Sequence, residues 1–223
     1  MEQENQVKNT AAEEFGGELM AFVEKNKKTI IYVVIALLVV ILAIFGVRRF
    51  VMQPREAKAN EALFAAEQYF ASGQYELALN GNEKHDGFLA VADRYGRTKA
   101  GRRARYSAGL CYLQTGKYEQ AAEQLRGYKG KDTFTPVLAL IAQGDAECEM
   151  GHNDKALSCY EKAAKMDDNF ITTPFALFKA GMIYIMDGQG AKAKEAFMKI
   201  KSRYPESTEY REIDKYIVWA SNL

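Results

Sequence analysis

Three stretches of this chain repeat one another at nearly constant spacing, and that self-similarity restricts the fold more than any other property of the sequence. RYSAGLCYLQTGKYEQAAEQL around Gly109, LIAQGDAECEMGHNDKALSCY around Gly144 and FKAGMIYIMDGQGAKAKEAF around Gly181 align at offsets of 35 and 37 residues. Small residues recur at fixed places: Gly109, Gly144 and Gly181 in the first half of each stretch, Ala121, Ala156 and Ala193 in the second. Such residues let two helices approach closely, and the large Leu125, Tyr160 and Phe197 then fill the space between them. Gly116, Gly151 and Gly188 stand between the halves, where a left-handed turn suits glycine.

The pattern resembles the tetratricopeptide repeat, a helix-turn-helix unit of about 34 residues. That resemblance covers nearly everything after residue 60. A fourth, N-terminal copy is visible in ALFAAEQYFASGQYELAL, with Ala66, Gly73, Tyr75 and Ala78 in the same roles. From Gly73 to Gly116 is 43 residues, so NGNEKHDGFLAVADRYG is an insertion that should break the second helix and restart it near Gly87. Thr135-Pro136 and Thr173-Pro174 each offer a capping hydroxyl followed by a first-turn proline. Pro205 closes the last copy, and Tyr210, Ile213, Ile217 and Ala220 then share one helical face, as a terminal capping helix requires; Trp219 lies beside that face. The expected fold is therefore all-α: a solenoid of about four helix pairs over residues 60–205, its first repeat split by an insertion at about 80–97, and a capping helix over 206–223.

Ahead of the repeats, Thr29 to Val47 carries no charge, and most of the stretch is Ile, Leu, Val or Phe. A helix of that length spans about 28 Å, enough for the hydrocarbon core of a bilayer. Each of those large apolar residues favours insertion by roughly 0.3–0.6 kcal/mol. The stretch is longer than the apolar part of a signal peptide, it begins only at Thr29, and Arg48 and Arg49 follow without a small-residue cleavage site, so a retained transmembrane helix in contact with lipid is expected. Residues 1–28 form a tail and 48–59 a juxtamembrane linker or helix. Flanking charge leaves orientation open, with Lys25, Lys27 and Lys28 on one side and Arg48, Arg49, Arg55 and Lys58 on the other. Within the tail, Phe15, Leu19, Phe22 and Val23 are spaced as one helical face able to lie on a membrane or dock a partner helix, which Gly16 and Gly17 weaken.

With 30 Lys and Arg against 29 Asp and Glu, net charge is +1 and no basic face stands out along the chain, so nucleic acid is not an expected partner. Cys111, Cys148 and Cys159 make an odd count without CxxC spacing, and the Cys148 to His152 spacing alone is better read as two ordinary repeat residues than as metal ligands. No nucleophile with a base, metal cluster or phosphate-cradling loop has the required spacing, and the glycines of Gly188-Gln189-Gly190 follow no strand. Neither catalysis nor any cofactor or metal is expected.

In solenoids of this family the first helices line a concave surface that holds a partner segment. Transferring the register places Leu63, Phe70, Tyr106, Leu110, Leu113, Ile141, Phe175, Phe178, Met182, Ile185 and Met186 there. Such an apolar, methionine-bearing groove suits apolar or helical peptide segments, although many of these residues could instead pack repeat on repeat. Tyr106, Phe178, Met182 and Met186 are the stronger candidates, and replacing Phe178 and Met182 by Glu should weaken partner recovery without unfolding the domain. The charge run Lys99 to Arg105 is expected to form a solvated helix face or to touch anionic lipid.

A tail ending EKNKK, a single anchor and a repeat domain of this size together resemble the bacterial ancillary Sec-translocon subunit with a periplasmic tetratricopeptide domain. The stretch GFLAVADRYGRTKAGRRARYSAGLCYL is similar to the Bacteroidota-type version of that family. The resemblance implies a single-pass inner-membrane protein, N-terminus cytoplasmic and repeats periplasmic, handing emerging polypeptides from the Sec translocon to periplasmic chaperones. The competing expectation is a scaffold for envelope or outer-membrane assembly that grips one fixed partner.

Overall fold

The computed structural model describes residue 20, residues 24–130 and residues 132–223. The expected face of Phe15, Leu19, Phe22 and Val23 lies outside these residues. After Pro54 the chain divides into an N-terminal part and a repeat domain, Arg55–Leu223. In the N-terminal part, helix α1 runs over Lys27–Gly46 and none of its residues is buried. It is long and apolar enough to cross a membrane. A helix satisfies its own backbone hydrogen bonds, the condition a spanning segment must meet in hydrocarbon. A π-helical turn over Val47–Met52 follows.

The repeat domain is built of paired helices. Helix α2, Gln53–Ala71, leads into α3, Tyr75–Asn80, and α4, Phe88–Tyr95. The later pairs are α5, Lys99–Gln114, with α6, Tyr118–Arg126; α7, Thr135–Glu149, with α8, Asn153–Met166; and α9, Thr172–Met186, with α10, Gly190–Arg203. A 3₁₀ turn at Glu209–Glu212 and helix α11, Ile213–Ser221, end the stack. The fold is an all-α solenoid with a short terminal helix.

Pairing follows from the small residues. A Cβ built on Gly109 would stand 2.6 Å from Leu125, one on Gly144 2.5 Å from Tyr160, and one on Gly181 2.3 Å from Phe197. Each large side chain of a second helix thus occupies the notch left by a glycine on the first, while Ala121, Ala156 and Ala193 are fully buried at the same crossings. Between the helices, Gly73, Gly116, Gly151 and Gly188 adopt φ of 74°, 72°, 75° and 69°, a region that costs a side-chain-bearing residue about 1–2 kcal/mol. In the first pair the second helix is interrupted. Gly81 and Asp86 bridge across a tight loop whose Asn82 carboxamide oxygen accepts from the Lys84 and His85 N–H groups, and the helix resumes at Phe88.

Helix starts depart from the expected caps. Thr135 and Thr173 do not cap α7 and α9; both lie inside their helices. Asp132 instead accepts from the Thr135 N–H at 2.7 Å, and the Asn169 side chain accepts from the Ile171 and Thr172 N–H groups at 2.8 and 2.7 Å. Thr173 donates to the Asp167 carbonyl, holding the preceding turn. The physical reason is reach: a cap serves N–H groups two or three residues on, and Asp132 and Asn169 stand at that distance before Thr135 and Thr172. At α5 the cap is doubled. Thr98 accepts from the Gly101 N–H at 2.9 Å, and the Glu56 carboxylate of α2 accepts from Lys99 and Ala100 at 2.7 and 2.8 Å.

The terminal helix also differs in which face it buries. Ile213 and Ala220 pack inward and Ile217 is half-buried, but Tyr210 precedes the helix, on the 3₁₀ turn, and faces solvent. Tyr216 takes its place, its ring 4.8 Å from Phe178 and 5.6 Å from Phe197. Trp219 lies 6.5 Å from Tyr216 and is half exposed.

Candidate functional site

The first helices α5, α7 and α9 place a run of apolar side chains next to one another, because positions four residues apart stack along one helix face. Phe178, Met182 and Met186 follow this spacing on α9, and Asp145 and Glu149 on α7. Together with Leu113 and Gln114 from α5, Tyr118 from α6 and Tyr160 from α8, they line a cleft of about 470 Å³ within the repeat domain. Met186 is 62% exposed, whereas Met182 and Phe178 are half-buried against the core of the last pair.

Of the eleven residues expected to line a groove, the structure brings Leu113, Phe178, Met182 and Met186 into this one cleft. Leu63, Ile141 and Ile185 are a correction: all three are buried, at 0%, 2% and 6% exposure, and pack helix against helix. A helical stripe wide enough to hold two neighbours leaves little of itself to a ligand, so apolar identity alone could not separate the two uses. Phe70 is engaged edge-on with Tyr75 and Phe88, and Tyr106 packs at a tilt against Tyr128. Leu110 and Phe175 rest partly buried on adjoining core clusters. Phe178 itself packs against Phe197 and, edge-on, against Tyr216, so Phe178→Glu is expected to disturb the last pair as well as the cleft.

The polar members of the cleft were not anticipated. Asp145 accepts from the Tyr160 hydroxyl at 2.7 Å and pairs with Lys179 at 3.0 Å. Burial, then the Asp145 charge, pushes the Tyr160 hydroxyl far above the usual tyrosine range, so it remains a neutral donor. Burial likewise raises the Cys148 thiol. Lys179 also lies over the Phe175 ring at 5.4 Å. The signal was available: Asp145 stands one residue after the notch glycine Gly144 and Lys179 two before Gly181, so the repeat register sets them on facing helices. Opposite charges in those places join α7 to α9 beside exposed Met186.

Another unanticipated residue is Glu147, 2% exposed, whose carboxylate lies 3.2 Å from Arg126, 2.9 Å from the His152 ring and 3.7 Å from Lys155. It stands three residues after the notch glycine, where the other copies carry Tyr69, Tyr112 and Tyr184. His152 is thus engaged with a carboxylate, not with Cys148.

An array of helix pairs crossing at glycine notches, with left-handed glycines at each turn, defines the class of helical-repeat proteins. Family models for the tetratricopeptide repeat match residues 88–136, 139–170 and 175–207, and the chain belongs to that family. Its repeats make it a protein–protein interaction module. No curated protein matches the chain.

Proposed function

We propose that this protein is a membrane-anchored holder of other polypeptides: α1 is a retained transmembrane helix, and the cleft of Leu113, Phe178, Met182 and Met186 takes an apolar segment of a partner chain. The observation that carries the reading is Met186, 62% exposed beside half-buried Met182 and Phe178 on the face shared by three repeats. Fully burying one such methionine contributes about 1.5–3 kcal/mol. Unbranched methionine repacks around side chains of different shape, which favours a surface used by many partners over one used by a single partner. Within the bacterial envelope, the domain would stand in the periplasm as an ancillary subunit of the Sec translocon, passing emerging chains to periplasmic chaperones.

Photocrosslinking from position 186 in cells tests this directly. Adducts with translocon components and a mixture of exported polypeptides are the expected result; one stoichiometric envelope partner instead would make the protein a scaffold. A reporter fused after Leu223 gives the topology, and activity on the cytoplasmic side would rule out the translocon-exit role.

A further inference from the structure

The fold gathers cations from separate stretches of the sequence, two of them from the charge run Lys99 to Arg105. Arg55, Arg94, Arg97, Arg102, Arg105 and Lys129 line a cleft of about 550 Å³ in which, among the described residues, the only acid is Asp93. Among the neighbouring carboxylates, Asp86 pairs with Arg94 of the cleft itself, whereas Glu67 is engaged with Arg103 and Glu56 with the N–H groups that open α5, so five lining cations face Asp93 alone. Two of the guanidinium groups are held by carbonyl oxygens, Arg55 on Arg94 at 2.7 Å and Arg102 on Arg97 at 3.0 Å. Carbonyls orient a guanidinium without neutralising it. Surfaces of soluble domains ordinarily intersperse the two signs, because clustered like charges repel. A concave cluster of oriented guanidinium groups that outnumber their acids is a receptor for an anion with several oxygens, to which arginine donates in a fork.

Covalent connection says where such an anion would come from. Arg55 is the first residue of the repeat domain and follows Val47, the last residue of the apolar stretch, by eight positions. Even a fully extended chain over that interval reaches no more than about 28 Å. Arg48, Arg49 and Lys58 add charge along the same short stretch of sequence. We infer that this cleft binds the phosphate headgroups of anionic phospholipids at the membrane into which the anchor inserts. The inference rests on the anchor reading and goes beyond it. It adds a second attachment, by which the repeat domain itself rests on the lipid surface. Each basic residue near an anionic surface strengthens attachment about fivefold, so a cluster of this size competes with tumbling about the tether.

The test uses the full chain reconstituted in vesicles of phosphatidylcholine, with or without phosphatidylglycerol, carrying a benzophenone side chain in place of Asp93. Lipid adducts identified by mass spectrometry should form mainly with phosphatidylglycerol. Changing exposed Arg97 and Lys129 to Gln should weaken that association about fivefold for each charge removed. Raising salt to about 1 M, where the screening length is about 3 Å, should suppress it. A probe in place of Asp187, at the turn between α9 and α10, should give no such preference. Adducts equal in the two kinds of vesicle, or unchanged in the Arg97→Gln, Lys129→Gln variant with normal helical content, would overturn the site. Adducts abolished by inorganic phosphate but not by chloride at equal ionic strength would assign the cleft to a free anion and also overturn it. Protein washed off vesicles by alkaline carbonate would refute the anchor; firmly inserted protein without adducts would refute only the headgroup site.

Discussion

At the scale of single residues, the tightest constraint is the glycine notch. A methyl group at 181 would meet the fully buried Phe197 ring at 2.3 Å, so ring or helix would have to shift. Gly181→Ala should therefore destabilise the protein by about 1–3 kcal/mol, seen as a lower midpoint in thermal or urea unfolding. Adding Phe197→Leu should recover part of the loss if the clash is its cause; a double variant no better than the sum of the two single changes would place the cause elsewhere. Burial pushes the Cys111 thiol up to about 12, so almost no thiolate is present near neutral pH. Under a short pulse of iodoacetamide on native protein, Cys148, which is half-buried, should be labelled well before Cys111, and equal labelling would contradict the packing of α5. Asp168 supplies a pH dependence. The Tyr204 hydroxyl, and then the Arg203 guanidinium, hold its carboxyl below the usual range. A depressed folded-state value means that this contribution is present above the unfolded value of about 3.9 and is lost as pH falls through the folded one. Asp168→Asn should make stability fall less steeply as pH drops below about 4, and an unchanged acid limb would show the pair to be idle.

Elements were unequally legible in the sequence, for reasons that lie in the residues. Helix pairs could be read because each needs a small residue on one helix and a large one sixteen positions on, as in Gly144 with Tyr160, and this spacing recurs. Turns could be read because only glycine tolerates the positive φ of Gly116, Gly151 and Gly188 at low cost. Caps at α7 and α9 could not, since Asp132 and Asn169 reach helix N–H groups from the preceding loop while the Thr-Pro pairs look more conspicuous. Helix α5 carries the least local information. Half of its cap is Glu56, 43 residues earlier than Lys99, a partner that only the folded arrangement supplies. Glu56→Ala should cost about 1 kcal/mol and raise hydrogen exchange first in the opening turn of α5; Thr98→Ala should act on the same turn, and the two losses should not be independent. The cleft was legible in part. Met186 and Met182 followed from register and apolar identity, but Leu63, Ile141 and Ile185 have the same identity and are core. What separates them is how much of each stripe the neighbouring pair covers, a tertiary quantity.

At the scale of the molecule, stability in such an array is carried by contacts between adjacent pairs, so damage at one crossing is felt mainly next door. That locality lets the cleft be altered without unfolding the domain, provided the change avoids the ring stack of Phe178, Phe197 and Tyr216. Met186 meets that condition, being mostly exposed at the last turn of α9. The most direct measurement is the affinity of full-length protein in nanodiscs for a fluorescent, unfolded apolar polypeptide, compared with the Met186→Glu variant by anisotropy. Placing a carboxylate where the account buries a methyl thioether should weaken binding by about 2 kcal/mol, some thirtyfold, with the unfolding midpoint unchanged. Equal affinity of the two proteins, each with full helical content, would contradict the claim that this face holds the partner.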